Sequence, residues 1–299
     1  MAESGWQETV ERIRAALKPA PVADGVCVID DALRPQLAGM LAEPLKENNR
    51  IVFTAGQLDP AQAGGLARAG LIKWWHTFAG ASYFGKAENL RSLRALHDAD
   101  HGQSDRHDSF DSTLTWASHP HSVTKGSVTT MNTETVALLI DWGANVNHEN
   151  GKYYGYVLRG SPADIIALYL DNGAPKQAAE VALQEMTAAK NYLQAQRIDN
   201  ALGGDGIYAK VDTQTLMTTQ FIAEPEGVAT LKTIYNFRSR RLNEIYTPPA
   251  QGMQPAMTST DFAGVDSAAL RRAQEKLEQL GGRPADVLEK PKLSVIKNG

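Results

Sequence analysis

The stretch Thr135-Val-Ala-Leu-Leu-Ile-Asp-Trp-Gly-Ala-Asn-Val-Asn147, followed by Asp164-Ile-Ile-Ala-Leu-Tyr-Leu-Asp-Asn-Gly-Ala174, decides how the chain is read. Each piece is an apolar helical run that stops at a Gly-Ala pair. The apolar residues bunch on one helical face: Val136, Leu139 and Ile140 in the first run, Ile165, Leu168 and Tyr169 in the second. A glycine just past a helix supplies the left-handed C-cap at little steric cost. Gly143 and Gly173 lie 30 positions apart, and such a period predicts a stacked array of helical units. One unit cannot bury its own apolar face, so its neighbours must cover it.

Val136–Asn147 resembles the second helix and following turn of an ankyrin repeat, and Ile165–Ala174 resembles the same piece of the next repeat. The T-P-L-H-x-A opening of that family is present only as Thr113-Leu114-Thr115-Trp116-Ala117, without the Pro and His. His76–Asp100 resembles a weaker copy upstream, with an insertion between it and the copy ending at Ala144. The resemblance implies a mainly α fold, a short irregular ankyrin-like α-solenoid with appended N- and C-terminal helical segments. The expected organisation is a mixed, helical region over 1–70, the repeat domain over 71–200, a helical extension over 201–250, and a linker, amphipathic helix and tail over 251–299. The resemblance also implies a recognition face built from the turns between repeats and the adjacent first helices. That face falls on Asn147–Leu158 and its flank, and it nominates His148, Lys152, Tyr153, Tyr154, Tyr156 and Arg159 as partner-binding residues. Tyr and Arg are the types that dominate interface hot spots. The plainer reading of the same stretch is that at least one of the three tyrosines packs in a core.

The chain has 299 residues, 42% hydrophobic and 21% charged, which suits a globular protein with a sizeable core rather than a disordered one. The formal net charge is −4, so no global basic field would hold a phosphate backbone, and nucleic acid is not an expected partner. The single cysteine, Cys27, excludes an intrachain disulfide framework and a cysteine-cluster zinc site. Its setting, Val26-Cys27-Val28-Ile29, reads as that of a buried, inert thiol. Met1–Lys18 lacks the basic start and apolar centre of a signal peptide, and no run approaches a membrane span. A cytoplasmic setting is the default expectation; export without a recognisable signal would leave no mark.

The remaining elements follow from local signals. Trp6–Leu17 reads as an amphipathic helix, Val26–Ile29 and Ile51–Thr54 as short extended runs, and Leu33–Leu45 as a helix. Asp59-Pro60 reads as an N-cap followed by a first-turn proline. Leu71–Phe84, with Trp74, Trp75, His76, Phe78, Tyr83 and Phe84, reads as core packing, with a ligand or partner groove as the sharper alternative. Pro225–Tyr246 reads as a helix carrying Lys232, Arg238, Arg240 and Arg241, and Ser267–Leu280 as an amphipathic helix stopped by Gly281-Gly282. The tail Arg283–Gly299 reads as extended or mobile.

Chemistry-bearing motifs are sparse. The segment Asp98–Asp111 holds histidines and acids, and His97, His101 and His107 are weak metal-ligand candidates. No H-E-x-x-H is present, and the segment reads as a solvated polar loop. His119 and His121 lie in a second such loop. Gly203-Gly204-Asp205-Gly206 matches neither phosphate-binding glycine pattern and reads as a turn. No nucleophile elbow, kinase set or dinucleotide fingerprint appears. The ankyrin-like resemblance, taken with these missing motifs, implies a non-catalytic protein–protein interaction module or adaptor, with no cofactor, resident metal or small-molecule ligand expected. The alternatives are a metal-dependent or acid–base enzyme using 97–111 and a structural subunit of a larger assembly.

Overall fold

A computed structural model describes residues 3–101, 107–118, 133–249 and 254–284. The expectations for His119, His121 and the tail beyond residue 284 fall outside these residues, as do the side chains of Trp6, His107 and Asp108. The chain divides into two compact units, residues 1–178 and 179–299.

In the first unit a run of helices follows the hydrophobic periodicity. They are α1 (Glu3–Leu17), α2 (Leu33–Leu41), α3 (Asn48–Gln57), α4 (Pro60–Arg68), α5 (Trp74–Tyr83), α6 (Ala87–His101), α7 (His107–Ser118), α8 (Thr133–Asp141), α9 (Lys152–Gly160) and α10 (Ala163–Asp171). A two-residue hairpin, β1 (Val22–Ala23) with β2 (Val26–Cys27), sits between α1 and α2. Alternate helices pack together in two rows: α3 on α5 and α5 on α7, then α4 on α6, α6 on α8 and α8 on α10. The pairs α5–α6, α7–α8 and α9–α10 also touch. Polar links tie the second row: Arg91 on α6 meets Glu134 on α8 at 2.7 Å, and the Thr133 hydroxyl of α8 donates to Asp164 of α10.

The two Gly-Ala stops are built alike. Gly143 and Gly173 adopt φ of 93° and 91°. Ala144 N–H then donates to Leu139 O at 3.0 Å, and Ala174 N–H to Tyr169 O at 2.9 Å. Both ends thus close with the six-to-one bond of a Schellman turn. Asp59 caps α4 in a full capping box with Gln62. Two expectations are corrected. Ile51–Thr54 lies inside α3, because Ile51, Val52 and Ala55 are buried there and burial overrides β-branched propensity. His97–His101 continues α6 rather than opening a loop.

Where α3 crosses α5 the backbones meet. A Cβ on Gly80 would stand 2.4 Å from Gly56 N and 2.5 Å from Val52 O, and one on Gly56 would stand 2.5 Å from Gly80 O. The aromatic stretch of α5 is core: His76, Phe78 and Tyr83 are buried, and Phe78 meets Phe110 edge-on at 5.5 Å.

The second unit overturns the mainly α expectation. It holds α11 (Lys176–Ala188, starting just before the boundary), α12 (Tyr192–Ala201), a five-stranded antiparallel sheet and α13 (Ser267–Gln279). The strands are β3 (Ile207–Asp212), β4 (Thr215–Glu224), β5 (Gly227–Asn236), β6 (Arg241–Thr247) and β7 (Ala256–Asp261), in the meander order β3-β4-β5-β6-β7. The chain is thus an α/β protein, and Pro225–Tyr246 is two strands rather than a helix. Val228, Thr230, Thr233 and Ile234 are β-branched, and Glu224-Pro225-Glu226-Gly227 turns the chain with Gly227 at φ 138°. The boundary between the two units, at 178, falls inside the 71–200 span, and α12 packs on β3 and β4. Leu216, Phe237 and Phe262 form the core of this unit with Leu270, Ala273 and Leu277 of α13.

Candidate functional site

The nominated binding residues cluster at an elbow in the first unit. Asn147 leads into a tight turn in which Glu149 (φ 51°), Asn150 (φ 58°) and Gly151 (φ 77°) are all left-handed. Two consecutive non-glycine residues in that region are strained, and such strain gathers at functional positions. The turn is held from both sides. Asn147 Nδ2 donates to Gly173 O at 3.1 Å. Asp111 accepts from Asn145 N–H at 2.6 Å, while its other oxygen lies 3.2 Å from His148 Nδ1.

From this turn α9 projects its first residues outward. Glu149 organises them: Lys152 Nζ lies 3.2 Å from its carboxylate and the Tyr153 hydroxyl donates to it at 3.0 Å. Lys152, with Tyr153 behind it, holds the Glu149 carboxyl below its ordinary range. The His148 ring stacks on Tyr153 at 5.9 Å with 7° between planes, and Tyr153 leans on Tyr156 at 6.3 Å. Tyr156 is 38% exposed, and Lys152 and Arg159 are also exposed.

Tyr154 is different, and its nomination is corrected. It is 1% exposed and stacks on Tyr169 at 5.7 Å. On a helix, residues two apart point to different faces, so Tyr154 faces inward while Tyr156 faces out. Burial pushes its phenol up to about 12. A partner meeting this surface would touch five of the six nominated side chains and miss Tyr154.

Of the weak metal candidates, the side chain of His107 lies outside the described residues, while His97 and His101 sit on α6. His97 is buried, edge-on to Trp74 at 5.4 Å and to Phe78 at 5.7 Å, with His101 5.0 Å away. Among the described residues no group of three or more His, Cys, Asp or Glu could hold a metal ion. Cys27 is buried, and burial first, then Asp59, raises its thiol.

A second place was missed by the sequence reading. The second unit contains a cleft of about 460 Å³ between α11, α12, β3 and α13. Leu183, Ala188, Ile207 and Leu280 give it apolar walls, and Asp199, Tyr208 and Lys276 give it polar atoms. Asp199 is buried. It accepts from Gly206 N–H at 2.7 Å and faces the Gln196 amide at 3.5 Å. Burial raises the Asp199 carboxyl, opposed by the Gly206 bond and by the Lys276 charge. The 203–206 turn passes close over Asp199: a Cβ on Gly204 would stand 2.2 Å from Asp199 Oδ1. Burial, followed by Asp205, raises the Tyr208 phenol, and Lys276 Nζ lies 5.3 Å from the Tyr208 ring centre. Only Gly203-Gly204-Asp205-Gly206 was legible, as a turn; its partner Asp199 lies in helical sequence and carries no motif.

Among the described residues no helix is long and apolar enough to cross a membrane. No family model, curated protein or solved structure matches the chain.

Proposed function

We infer that the first unit is a non-catalytic protein-binding module that meets its partner through the elbow His148–Arg159. One observation carries this reading. A strained turn, fixed at Asp111 and Gly173, presents Lys152, Tyr153, Tyr156 and Arg159 on one outward stretch with the backbone already arranged. Prearranged aromatic and cationic side chains lose little freedom on binding, which is what a hot spot requires. The ankyrin-like reading of 135–174 belongs to this proposal. Support for it comes from the matching Gly-Ala stops and from the packing of α8 on α10.

The test is affinity purification of the full chain with mass spectrometry, comparing wild type, Lys152→Ala with Tyr156→Ala, and Arg34→Ala as an exposed control elsewhere. Partners kept by the control and lost by the double variant, at a cost of about 2 kcal/mol or more in a follow-up titration, support the reading. A partner set that both variants retain removes the elbow from consideration.

A further inference from the structure

We propose that the cleft in the second unit binds a small amphipathic monocarboxylate, with the carboxylate on Lys276 and an apolar body along Leu183, Ile207 and Leu280. This is independent of the elbow and its partner.

Size comes first. About 460 Å³ lies within the range of small-ligand pockets, roughly 300–1,000 Å³, which are mostly apolar with a few placed polar groups. Charge decides the class. The other ionic groups near the cleft are already engaged. Asp205 accepts from Arg272 Nε at 3.1 Å. Lys210 donates to Gly281 O at 3.2 Å. Asp199 is held by Gly206 and Gln196. Among the described residues the Lys276 ammonium has neither a hydrogen bond nor a close ion pair; it rests on the Tyr208 ring, and its charge favours the Asp199 carboxylate from a distance. An ammonium over an aromatic face, beside apolar walls, still has N–H donors for an incoming anion.

The walls argue against a highly charged occupant such as a di- or triphosphate. A single lysine would face several charges, and Asp199 at the floor would repel the surplus. A monocarboxylate matches the one lining cation, and its chain covers Leu280, which is 40% exposed.

Octanoate, with neutral octanamide as its control, tests this on the full chain by calorimetry and by amide-shift mapping. Expected is saturable octanoate binding, with shifts grouped at residues 183–188, 206–208 and 276–280. Octanamide should bind at least tenfold more weakly. Lys276→Met should lose at least tenfold in octanoate affinity, while Lys276→Arg should retain it, both with unchanged circular dichroism. Because Lys276 also packs on Tyr208, the Arg variant separates lost charge from lost fold. No saturable octanoate binding at millimolar concentration, equal affinity for octanamide, or shifts centred elsewhere would each overturn the proposal.

Discussion

Tyr154 carries its hydroxyl into the interior, where among the described residues nothing bonds it. Its neighbour Tyr169, stacked above it, donates to the Ser118 hydroxyl at 3.0 Å and is satisfied. A buried unpaired hydroxyl costs free energy, whereas the ring around it supplies packing. Tyr154→Phe should therefore leave stability unchanged or raise it by up to about 1 kcal/mol. Tyr154→Ala should cost about 3–5 kcal/mol by analogy with other aromatic truncations. Urea unfolding of both variants checks the pair; a loss of more than 1 kcal/mol for Phe would mean the hydroxyl is bonded. His76 gives a residue-scale pH prediction. It is buried, accepts from Lys73 N–H at 3.1 Å, and burial, then Lys73, lowers it from 6.5 to about 4. Between those two values the unfolded chain binds the extra proton, so stability falls as pH drops from 6.5 toward 4. The contribution is up to about 3 kcal/mol. His76→Gln should flatten that part of the wild-type profile, measured as the difference between the two urea midpoints across the window. Parallel profiles would show that carboxylates alone set the acid slope.

Among elements, the α3–α5 crossing brings two backbones into direct contact. Gly56 and Gly80 face each other with no room for a methyl group between backbone atoms. Backbone cannot swing aside as a side-chain tip can, so Gly80→Ala should cost about 1–3 kcal/mol or more through overpacking. Gly39 on α2 is the control, being helical and exposed with nothing within 4 Å of its would-be Cβ. There Gly39→Ala should stabilise by up to about 1 kcal/mol, since only helix propensity changes. Thermal melts of the two variants should move in opposite directions; movement in the same direction would mean that the crossing can relax. The elements also show what the sequence could and could not convey. Local signals were legible: the Asp59 cap, the Gly143 and Gly173 stops, and the amphipathic α13 are written within a few residues. The meander was not. Leu231, Ile234, Tyr235, Leu242 and Ile245 fit a helical spacing nearly as well as an alternating one. The pairing that decides, such as Leu216 against Tyr235 and Tyr235 against Leu242, joins residues of different strands and is not written within any one run. Ile51–Thr54 failed the other way, because a β-branched run looks extended until its burial is known. At the candidate sites the elbow was legible as a Tyr-rich run, but not which tyrosine faces inward. The cleft was invisible, because Leu183, Asp199, Tyr208 and Lys276 come from four elements.

For the whole molecule, the division at 178 has a spectroscopic consequence that makes it testable. All five tryptophans, Trp6, Trp74, Trp75, Trp116 and Trp142, belong to residues 1–178, and none to 179–299. Tryptophan fluorescence therefore reports the first unit alone, while the β-sheet signal in circular dichroism comes almost entirely from the second. Leu277 is fully buried in the core formed by α13 and the sheet, and Leu277→Ala should cost that unit about 2–5 kcal/mol. For a unit of this size such a loss lowers its melting point by roughly 10 °C or more. If each unit stands on its own core, the sheet transition should move while the tryptophan transition stays in place, so that curves coincident in the wild type separate in the variant. A tryptophan transition that falls together with the sheet signal would instead mean that the two cores unfold as one cooperative body. In that case a partner at the elbow and a carboxylate in the cleft, each binding only the folded chain, would stabilise one shared folded state. Independent melting would confine the effect of octanoate to the circular dichroism transition and leave the fluorescence midpoint unmoved.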